Sequence, residues 1–231
     1  MKQAKTIERR SHLYMDDFLR SYRVLYPDAG PERIQRLMDI LSQVDRERSP
    51  ALYSLDSDPE WKADWFQQPD QVGMMLYVDL FAGNLQGVIE HIDYFKELGI
   101  TYLHLMPLLK PRNGPNDGGF AVADYRAVNE RLGTMEQLRD LATLLHEKGM
   151  LLVIDYVMNH TAREHQWAQA ALSGDPHYQD FYLLFDERSL PDAYERSLPE
   201  VFPDFAPGNF TWQKKKKKWA WTTFYDFQWD L

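Results

Sequence analysis

Three side chains that could do chemistry lie at the end of an apolar run in the stretch VIDYVMNHTA, residues 153–162. Asp155 is near the end of the run, and Asn159 and His160 come four and five residues later. A carboxylate, an amide and an imidazole gathered where a strand ends can form the polar floor of a pocket, because rigid scaffolds often carry binding groups on their loops. The same residue types also form ordinary turns. The surrounding elements must decide between these interpretations.

Alternating strands and helices are predicted around this stretch. Asn84 is suited to cap a first amphipathic helix that ends at Gly99, while Thr134 and Gln137 are spaced as a capping box for a second helix that ends at Gly149. This alternation predicts an α/β fold with a parallel sheet, either open or closed into a barrel, and in both cases the functional loops follow the strands. Three apolar runs suit its buried strands: VGMMLYVDLF, ITYLHLMP and MLLVIDYV.

The regions on either side of these units have a different character. Residues 1–65 carry helical spacing, with Pro31 in a first-turn position, and we predict an α-helical N-terminal region there. Residues 66–160 would form the first part of the barrel. Residues 161–231 consist of short aromatic and proline-containing pieces, which predicts an inserted subdomain after the third strand. Within it, Lys214–Lys218 should form a solvated hairpin tip, because five like charges repel one another.

Composition excludes several classes of partner and site. The 231 residues are 44% hydrophobic, enough for a substantial core, and carry a formal net charge of −9, which argues against nucleic acid or an anionic membrane surface as a partner. No cysteine is present, which excludes disulfides and thiolate metal sites, and a cytoplasmic protein is expected. A metal site on His160 and His165 is disfavoured, since five residues is poor spacing for one face of a helix. We expect no cofactor and no metal ion.

Residues 117–134 (DGGFAVADYRAVNERLGT) and residues 138–160 together resemble the α-amylase superfamily, glycoside hydrolase family 13. The segments YVDLFAG, YLHLMPLLKPR, LPEVFPDFAPGNF and WTTFYDFQWDL are similar to amylosucrases in particular. This resemblance implies a (β/α)8 TIM barrel, of which the chain would contain the first three βα units. It also implies α-glucosyl transfer from sucrose to an α-glucan, with release of fructose.

Such enzymes work by retaining chemistry, in which two carboxylates act through an oxocarbenium-like transition state. In the family, the nucleophile, the acid/base and a third carboxylate come from later strands of the barrel. The sequence ends at Leu231, before a fourth strand of that kind. We therefore expect an N-terminal fragment that lacks all three catalytic carboxylates and is inactive alone. Sucrose and α-glucan are the expected partners, and the sequence does not determine an oligomeric state.

The resemblance assigns roles to five residues of this chain. Asp117 and Phe120 match the family positions that close the bottom of the pocket and stack on the glucosyl ring, although tyrosine is more usual than phenylalanine at the second. His160 matches a histidine that hydrogen-bonds the glucosyl unit. Asp155 and Asn159 match positions that organise the pocket floor. In the family Asp117 pairs with an arginine much later in the chain, so here we expect its carboxylate to be unpaired and solvated.

Other interpretations remain open. His160 could be a structural histidine, and Gly118 and Gly119 serve any tight turn as well as a ligand site. Within the same superfamily the activity could be that of an α-glucosidase, a sucrose phosphorylase or a trehalose-forming isomerase. A non-catalytic carbohydrate-binding module is the alternative from a different class. The products formed from sucrose would separate these hypotheses.

Overall fold

The structure is a computed structural model that describes residues 6–50, 52 and 65–231. It divides into two compact units, Met1–Gln68 and Pro69–Leu231. The boundary that the sequence predicts at residue 160, between barrel and subdomain, falls inside the second unit and stays a prediction. Among the described residues, no helix combines the length and the apolar character that a membrane span requires.

The first unit is helical where it is described. Helix α1 covers Thr6–Leu25 and helix α2 covers Pro31–Glu47, with Pro31 at the start of α2 as the sequence predicts. A proline is suited to this position because the first turn of a helix leaves its N–H groups without intrahelical partners. The rest of the predicted N-terminal region, residues 1–5, 51 and 53–64, lies outside the described residues.

The second unit contains ten strands and seven further helices. The helices are α3 (Val78–Ala82), α4 (Leu85–Glu90), α5 (Ile92–Glu97), α6 (Met135–Glu147), α7 (Gln166–Ser173), α8 (Pro176–Gln179) and α9 (Ser189–Glu195). The strands are β1 (Gly73–Tyr77), β2 (Tyr102–Met106), β3 (Leu109–Pro111), β4 (Val122–Val128), β5 (Leu151–Ile154), β6 (His160–Ala162), β7 (Leu184–Phe185), β8 (Phe210–Gln213), β9 (Lys218–Trp221) and β10 (Gln228–Asp230).

A three-stranded parallel sheet in the order β1-β2-β5 forms the centre of this unit. Aliphatic side chains of the sheet and of α4–α6 pack into one buried cluster that includes Leu85, Leu103 and Leu141. Helices connect the parallel strands, and the three strands therefore end at the same edge of the sheet. The predicted α/β fold with successive βα units is confirmed.

The predicted starts and ends of the helices are also confirmed. The side chain of Asn84 accepts a hydrogen bond from the Gly87 N–H at 3.0 Å, and Thr134 and Gln137 form a complete capping box. Gly99 and Gly149 follow the helices with φ angles of 75° and 77°, in the left-handed region that glycine favours.

Two details differ from the sequence expectation. The apolar run from Val72 is a strand only to Tyr77 and continues as helix α3, in which Val78 is buried but Leu80 is 82% exposed. A run of apolar residues alone does not separate a buried strand from a short helix. The predicted helix up to Leu98 is interrupted at His91, which lies between α4 and α5.

The chain after β5 forms two small antiparallel sheets. One has the order β7-β9-β8, and its β8–β9 hairpin carries the lysine run at an exposed tip, although Lys218 itself lies in β9 and pairs with Asp186. The other joins β6 to β10, with Asp230 opposite His160. Aromatic side chains dominate the packing, as in the contact between buried Trp229 and Tyr182.

Candidate functional site

The candidate site lies where β2 and β5 end. Asp155 directly follows β5, and its Oδ1 is 3.2 Å from Nε2 of His104 on β2. Its Oδ2 is buried and has no hydrogen-bond partner within the described residues. Asp155 therefore lies at the C-terminal edge of the parallel sheet, the part of a βα barrel where functional groups are found. The sequence analysis did not identify His104 as its partner.

His160 begins β6 and is 5% exposed. Its Nδ1 is 3.3 Å from the side-chain amide of Asn159, and its Nε2 is 2.8 Å from Nε2 of Gln228 on β10. The backbone carbonyl of Phe120 is 3.3 Å from the same Nε2. The structure thus brings His160, Asn159 and Phe120 together and adds Gln228, which the sequence did not nominate.

The side-chain amide of Gln228 has a defined orientation next to His160. Oε1 of Gln228 accepts a hydrogen bond from the Tyr225 N–H at 3.1 Å, so its amide nitrogen must face Asp117 and His160. Nε2 of His160 therefore has a donor, the Gln228 amide at 2.8 Å, and an acceptor, the Phe120 carbonyl at 3.3 Å, as neighbours, and these contacts suit either neutral tautomer of the ring. Burial lowers the pKa of His160, against opposing effects of the Phe120 carbonyl and of Asp230 and Asp117. The ring is therefore neutral near pH 7.

Asp117 is not unpaired, and the expectation of a solvated carboxylate was wrong. Its Oδ1 accepts the Ala121 N–H at 3.0 Å, and its Oδ2 accepts a hydrogen bond from Nε2 of Gln228. Gln228 is next to Asp117 because β10, which carries Gln228, pairs antiparallel with β6 at the candidate site. Gln228 is 1% exposed and connects Asp117 to His160.

The turn before Phe120 needs glycine for two reasons. Gly118 and Gly119 have φ angles of 85° and 109°, and a Cβ on Gly119 would lie 2.6 Å from Cγ of Pro107. The turn therefore approaches the end of β2 too closely for any side chain at this position. Phe120 is half-buried, and its role in stacking on a sugar stays a prediction. Another aromatic ring in the site is Phe224, whose centroid is 5.2 Å from that of His160.

Tyr125 anchors the loop between β5 and β6, which contains Asn159. Its hydroxyl donates to the carbonyl of Val157 at 2.7 Å and lies 2.9 Å from the carbonyl of His160. Burial raises the pKa of Tyr125, so the phenol keeps the proton that these bonds require. Tyr125, on β4, thereby has a structural role in this loop.

The sequence analysis did not identify Gln228 and His104 as residues of the site. Gln228 and Phe224 lie in an aromatic segment without a catalytic motif, and their positions depend on a strand pairing that no local pattern predicts. His104 could have been suspected, since it is a polar residue inside a buried strand. Within the described ranges, no group of three or more His, Asp or Glu side chains is placed to hold a metal ion.

Comparison with known proteins identifies the class to which this arrangement belongs. The model of the alpha-amylase catalytic domain matches residues 48–231, and the chain belongs to this family, the α-amylase or glycoside hydrolase 13 superfamily. The predicted partial (β/α)8 barrel is confirmed, as is the predicted superfamily. The narrower resemblance to amylosucrases stays a prediction.

Curated relatives include a trehalose synthase and an oligo-1,6-glucosidase. The chain is 35% identical over 151 residues to a trehalose synthase of Pimelobacter sp. (strain R48), a match that covers 65% of this chain and 25% of the relative. It is 39% identical over 102 residues to an oligo-1,6-glucosidase of Bacillus cereus, covering 44% and 18%. The chain thus spans about a quarter or less of the length of these relatives.

Solved structures of related enzymes also align with part of this chain. The trehalulose synthase MutB from Pseudomonas mesoacidophila MX-45 aligns with a TM-score of 0.62 and 27% identity, covering 75% of this chain and 31% of that one. A trehalose-6-phosphate hydrolase of Bacillus licheniformis aligns with a TM-score of 0.60 and 27% identity, covering 72% and 30%. One of the aligned MutB structures is a complex with sucrose.

Proposed function

We propose that this chain supplies the sugar-binding side of a retaining enzyme that transfers an α-glucosyl unit from sucrose to an α-glucan and releases fructose. The observation that carries the proposal is the convergence of Asp117, His160 and Gln228 at the C-terminal edge of the parallel sheet. Active sites of βα barrels lie at this edge. A network of a half-buried carboxylate, a buried amide and a neutral buried imidazole is suited to sugar hydroxyls, which both donate and accept hydrogen bonds.

Each residue has a distinct task in this proposal. The Asp117 carboxylate accepts hydrogen bonds from sugar hydroxyls at the closed end of the pocket. His160 is neutral, so it contributes a hydrogen bond without a positive charge that would oppose the oxocarbenium-like transition state. Phe120 offers an aromatic face to the apolar face of the pyranose ring. The nucleophile and the acid/base are carboxylates that the resemblance does not assign to any residue of this chain.

The choice of sucrose rests on the segments that resemble amylosucrases and is supported by the sucrose complex of the structurally similar MutB. Two relatives favour a second candidate function. A trehalose synthase and an oligo-1,6-glucosidase are among the proteins most similar in sequence, which supports an isomerase or α-glucosidase of the same superfamily. Both candidates use the same pocket for the glucosyl unit, and they differ in what accepts it.

Product analysis of the full-length gene product tests the proposal. The enzyme should be incubated separately with sucrose, with sucrose and phosphate, with isomaltose and with maltose. Fructose together with an insoluble or lengthening α-glucan is the expected result. Free glucose from isomaltose, trehalose from maltose, or glucose 1-phosphate in the presence of phosphate would each replace the proposal with the corresponding activity. Saturable glucan binding without turnover of any substrate would support the carbohydrate-binding module.

A further inference from the structure

An ion pair with a buried arginine and a 38% exposed glutamate lies beside the candidate site and takes no direct part in it. Arg112 follows the end of β3, and its side chain is 9% exposed. Its Nε and Nη2 donate to the two carboxylate oxygens of Glu164, both at 2.9 Å. This two-pronged arrangement is the strong form of an arginine–carboxylate pair, since both bonds are charge-assisted and the planar groups fix each other's orientation.

The same guanidinium contacts two further segments. Its Nη1 donates to the carbonyl of Pro115, two residues before Asp117, and the group lies 4.3 Å from the centroid of the Phe227 ring. The backbone N–H of Arg112 also donates to the carbonyl of Ala121 at 2.9 Å and closes the base of the loop. Side chain and backbone of one residue therefore hold the middle and both ends of the 112–121 loop.

Each of these contacts is close in sequence to a residue of the pocket. Glu164 comes four residues after His160, and Phe227 directly precedes Gln228. The carbonyl of Phe227 also accepts the Arg163 N–H at 2.7 Å, so the two segments are connected beneath the guanidinium. Three stretches of chain that are distant in sequence meet at one cation.

We propose that Arg112 and Glu164 are a positioning pair that keeps the 112–121 loop in place against β6 and β10. The pair thereby sets the distance from Asp117 to the amide of Gln228. This inference rests on the proposed function only in assigning the positioned groups to sugar binding. The positioning itself is a property of the structure and has its own readout.

The pair is charged throughout the physiological range. The hydrogen bond with Glu164 is the main cause that raises the pKa of Arg112. Burial alone would raise the pKa of Glu164, but the bond from Arg112 and the nearby positive charges lower it overall. Loss of Glu164 leaves the buried guanidinium of Arg112 without its two-pronged partner, which is more disruptive than loss of an exposed pair. Glu164 is 38% exposed and lies 3.6 Å from Arg163, so loss of Arg112 acts through the loop contacts that the guanidinium makes.

A second ion pair, whose lysine lies on β3 two residues before Arg112, provides a matched control. Lys110 and Glu130 are 2.6 Å apart, but their side chains are 40% and 81% exposed. A pair of this kind contributes little, because solvent screens it. Lys110→Gln removes a positive charge two residues from Arg112 without touching the three-way contact. Arg112→Lys keeps the charge but removes the fork, and Glu164→Gln keeps the shape but removes the negative charge.

Hydrogen exchange on the full-length gene product is the first test. The N–H of Ala121 bonds Asp117, so its exchange reports on the loop directly. In Arg112→Lys and in Glu164→Gln it should become at least tenfold faster, while exchange at Leu141 and Leu145 in α6 stays unchanged. Lys110→Gln should leave both unchanged. Equal exchange at Ala121 in the wild type and in Arg112→Lys would overturn the proposal, as would equal acceleration in the control.

Kinetics on sucrose is the second test. A loop displaced by about 1 Å can cost about 100-fold in kcat/KM, and this is the loss expected for Arg112→Lys and Glu164→Gln. The double variant should lose no more than either single variant, because the two residues act as one unit. A loss that only follows the fraction of unfolded protein would show a merely structural role. If the wild type does not use sucrose, the proposed function fails, and the exchange test still decides the positioning.

Discussion

The two halves of the second unit are built in different ways. The part up to β5 packs aliphatic side chains between a parallel sheet and its helices, and its elements connect neighbours in the chain. The part after β5 packs aromatic side chains around short antiparallel strands that are brought together from distant positions. The first half is a scaffold that supplies Asp155 and the edge of the sheet. The second returns to this edge and completes the pocket with Gln228 and Phe224.

This difference has a consequence for the division of roles. Side chains in the scaffold should matter for stability, whereas the polar side chains at the junction of the two halves should matter for activity. Five expected outcomes test this division in the full-length gene product, from the largest effect to the smallest.

Leu103→Ala should destabilise the scaffold most. Leu103 is fully buried on the central strand β2, and truncation of a leucine in a core costs about 2–5 kcal/mol of unfolding free energy. Denaturant unfolding measures the change. Leu80→Ala is the control, because Leu80 is 82% exposed and should alter stability by about 0.5 kcal/mol or less. Similar effects of the two substitutions would contradict the core described here.

His160→Ala should lower turnover about 100-fold while changing unfolding much less than Leu103→Ala does. In the proposed function His160 contributes a preorganised hydrogen-bonding group for the substrate rather than a large apolar contact. Steady-state kinetics with the substrate identified by product analysis measures the effect. Unchanged turnover would show that this imidazole is structural.

Gln228→Leu should cost about 1–3 kcal/mol of stability, because the variant leaves the half-buried carboxylate of Asp117 without its side-chain donor. It should also weaken substrate use, since the connection between Asp117 and His160 is lost. Gln228→Glu provides a sharper form of the test: the shape is kept, but a second carboxylate faces Asp117. Near-neutral effects of both substitutions would mean that the two halves do not meet through this amide.

Phe120→Ala should weaken substrate use by about 1 kcal/mol through lost stacking, whereas Phe120→Tyr should be nearly neutral, because the aromatic face survives. Comparison of kcat/KM for the two variants measures the effect. Identical kinetics for wild type and Phe120→Ala would remove this ring from the pocket.

Acidification should destabilise the wild type more than a His160→Gln variant. Burial lowers the pKa of His160 below its ordinary value of 6.5, so the unfolded chain binds the proton first as the pH falls. The contribution of the neutral ring to stability is therefore complete above pH 6.5 and declines below it. Burial also lowers the pKa of His165, and the contribution of His165 to the acid destabilisation remains in the His160→Gln variant. Melting temperatures at about pH 7.5 and about pH 5.5 measure the difference, and an equal decline in both proteins would contradict it.

The local elements of the scaffold could be predicted from the sequence by itself. Asn84, Thr134 and Gln137 cap helices, and Gly99 and Gly149 end them, because these effects depend on residues within one turn of each other. The parallel direction of the strands could be predicted from the alternation of strand and helix. The residue types and spacing of the stretch from Asp155 to His160 identified it as a motif at the end of a strand.

Only the tertiary structure decided how the pocket is completed. The pairing of β6 with β10 brings Gln228 to Asp117 across 111 positions of sequence, which reversed the expectation of an unpaired carboxylate. The tertiary structure also decided that the apolar run from Val72 becomes a helix at Val78, with Leu80 exposed. The physical reason is the same in both cases. Hydrophobic periodicity and helix capping depend on residues that are neighbours in sequence. The pairing partner of a strand, and which of its faces is buried, depend on distant segments that no local pattern encodes.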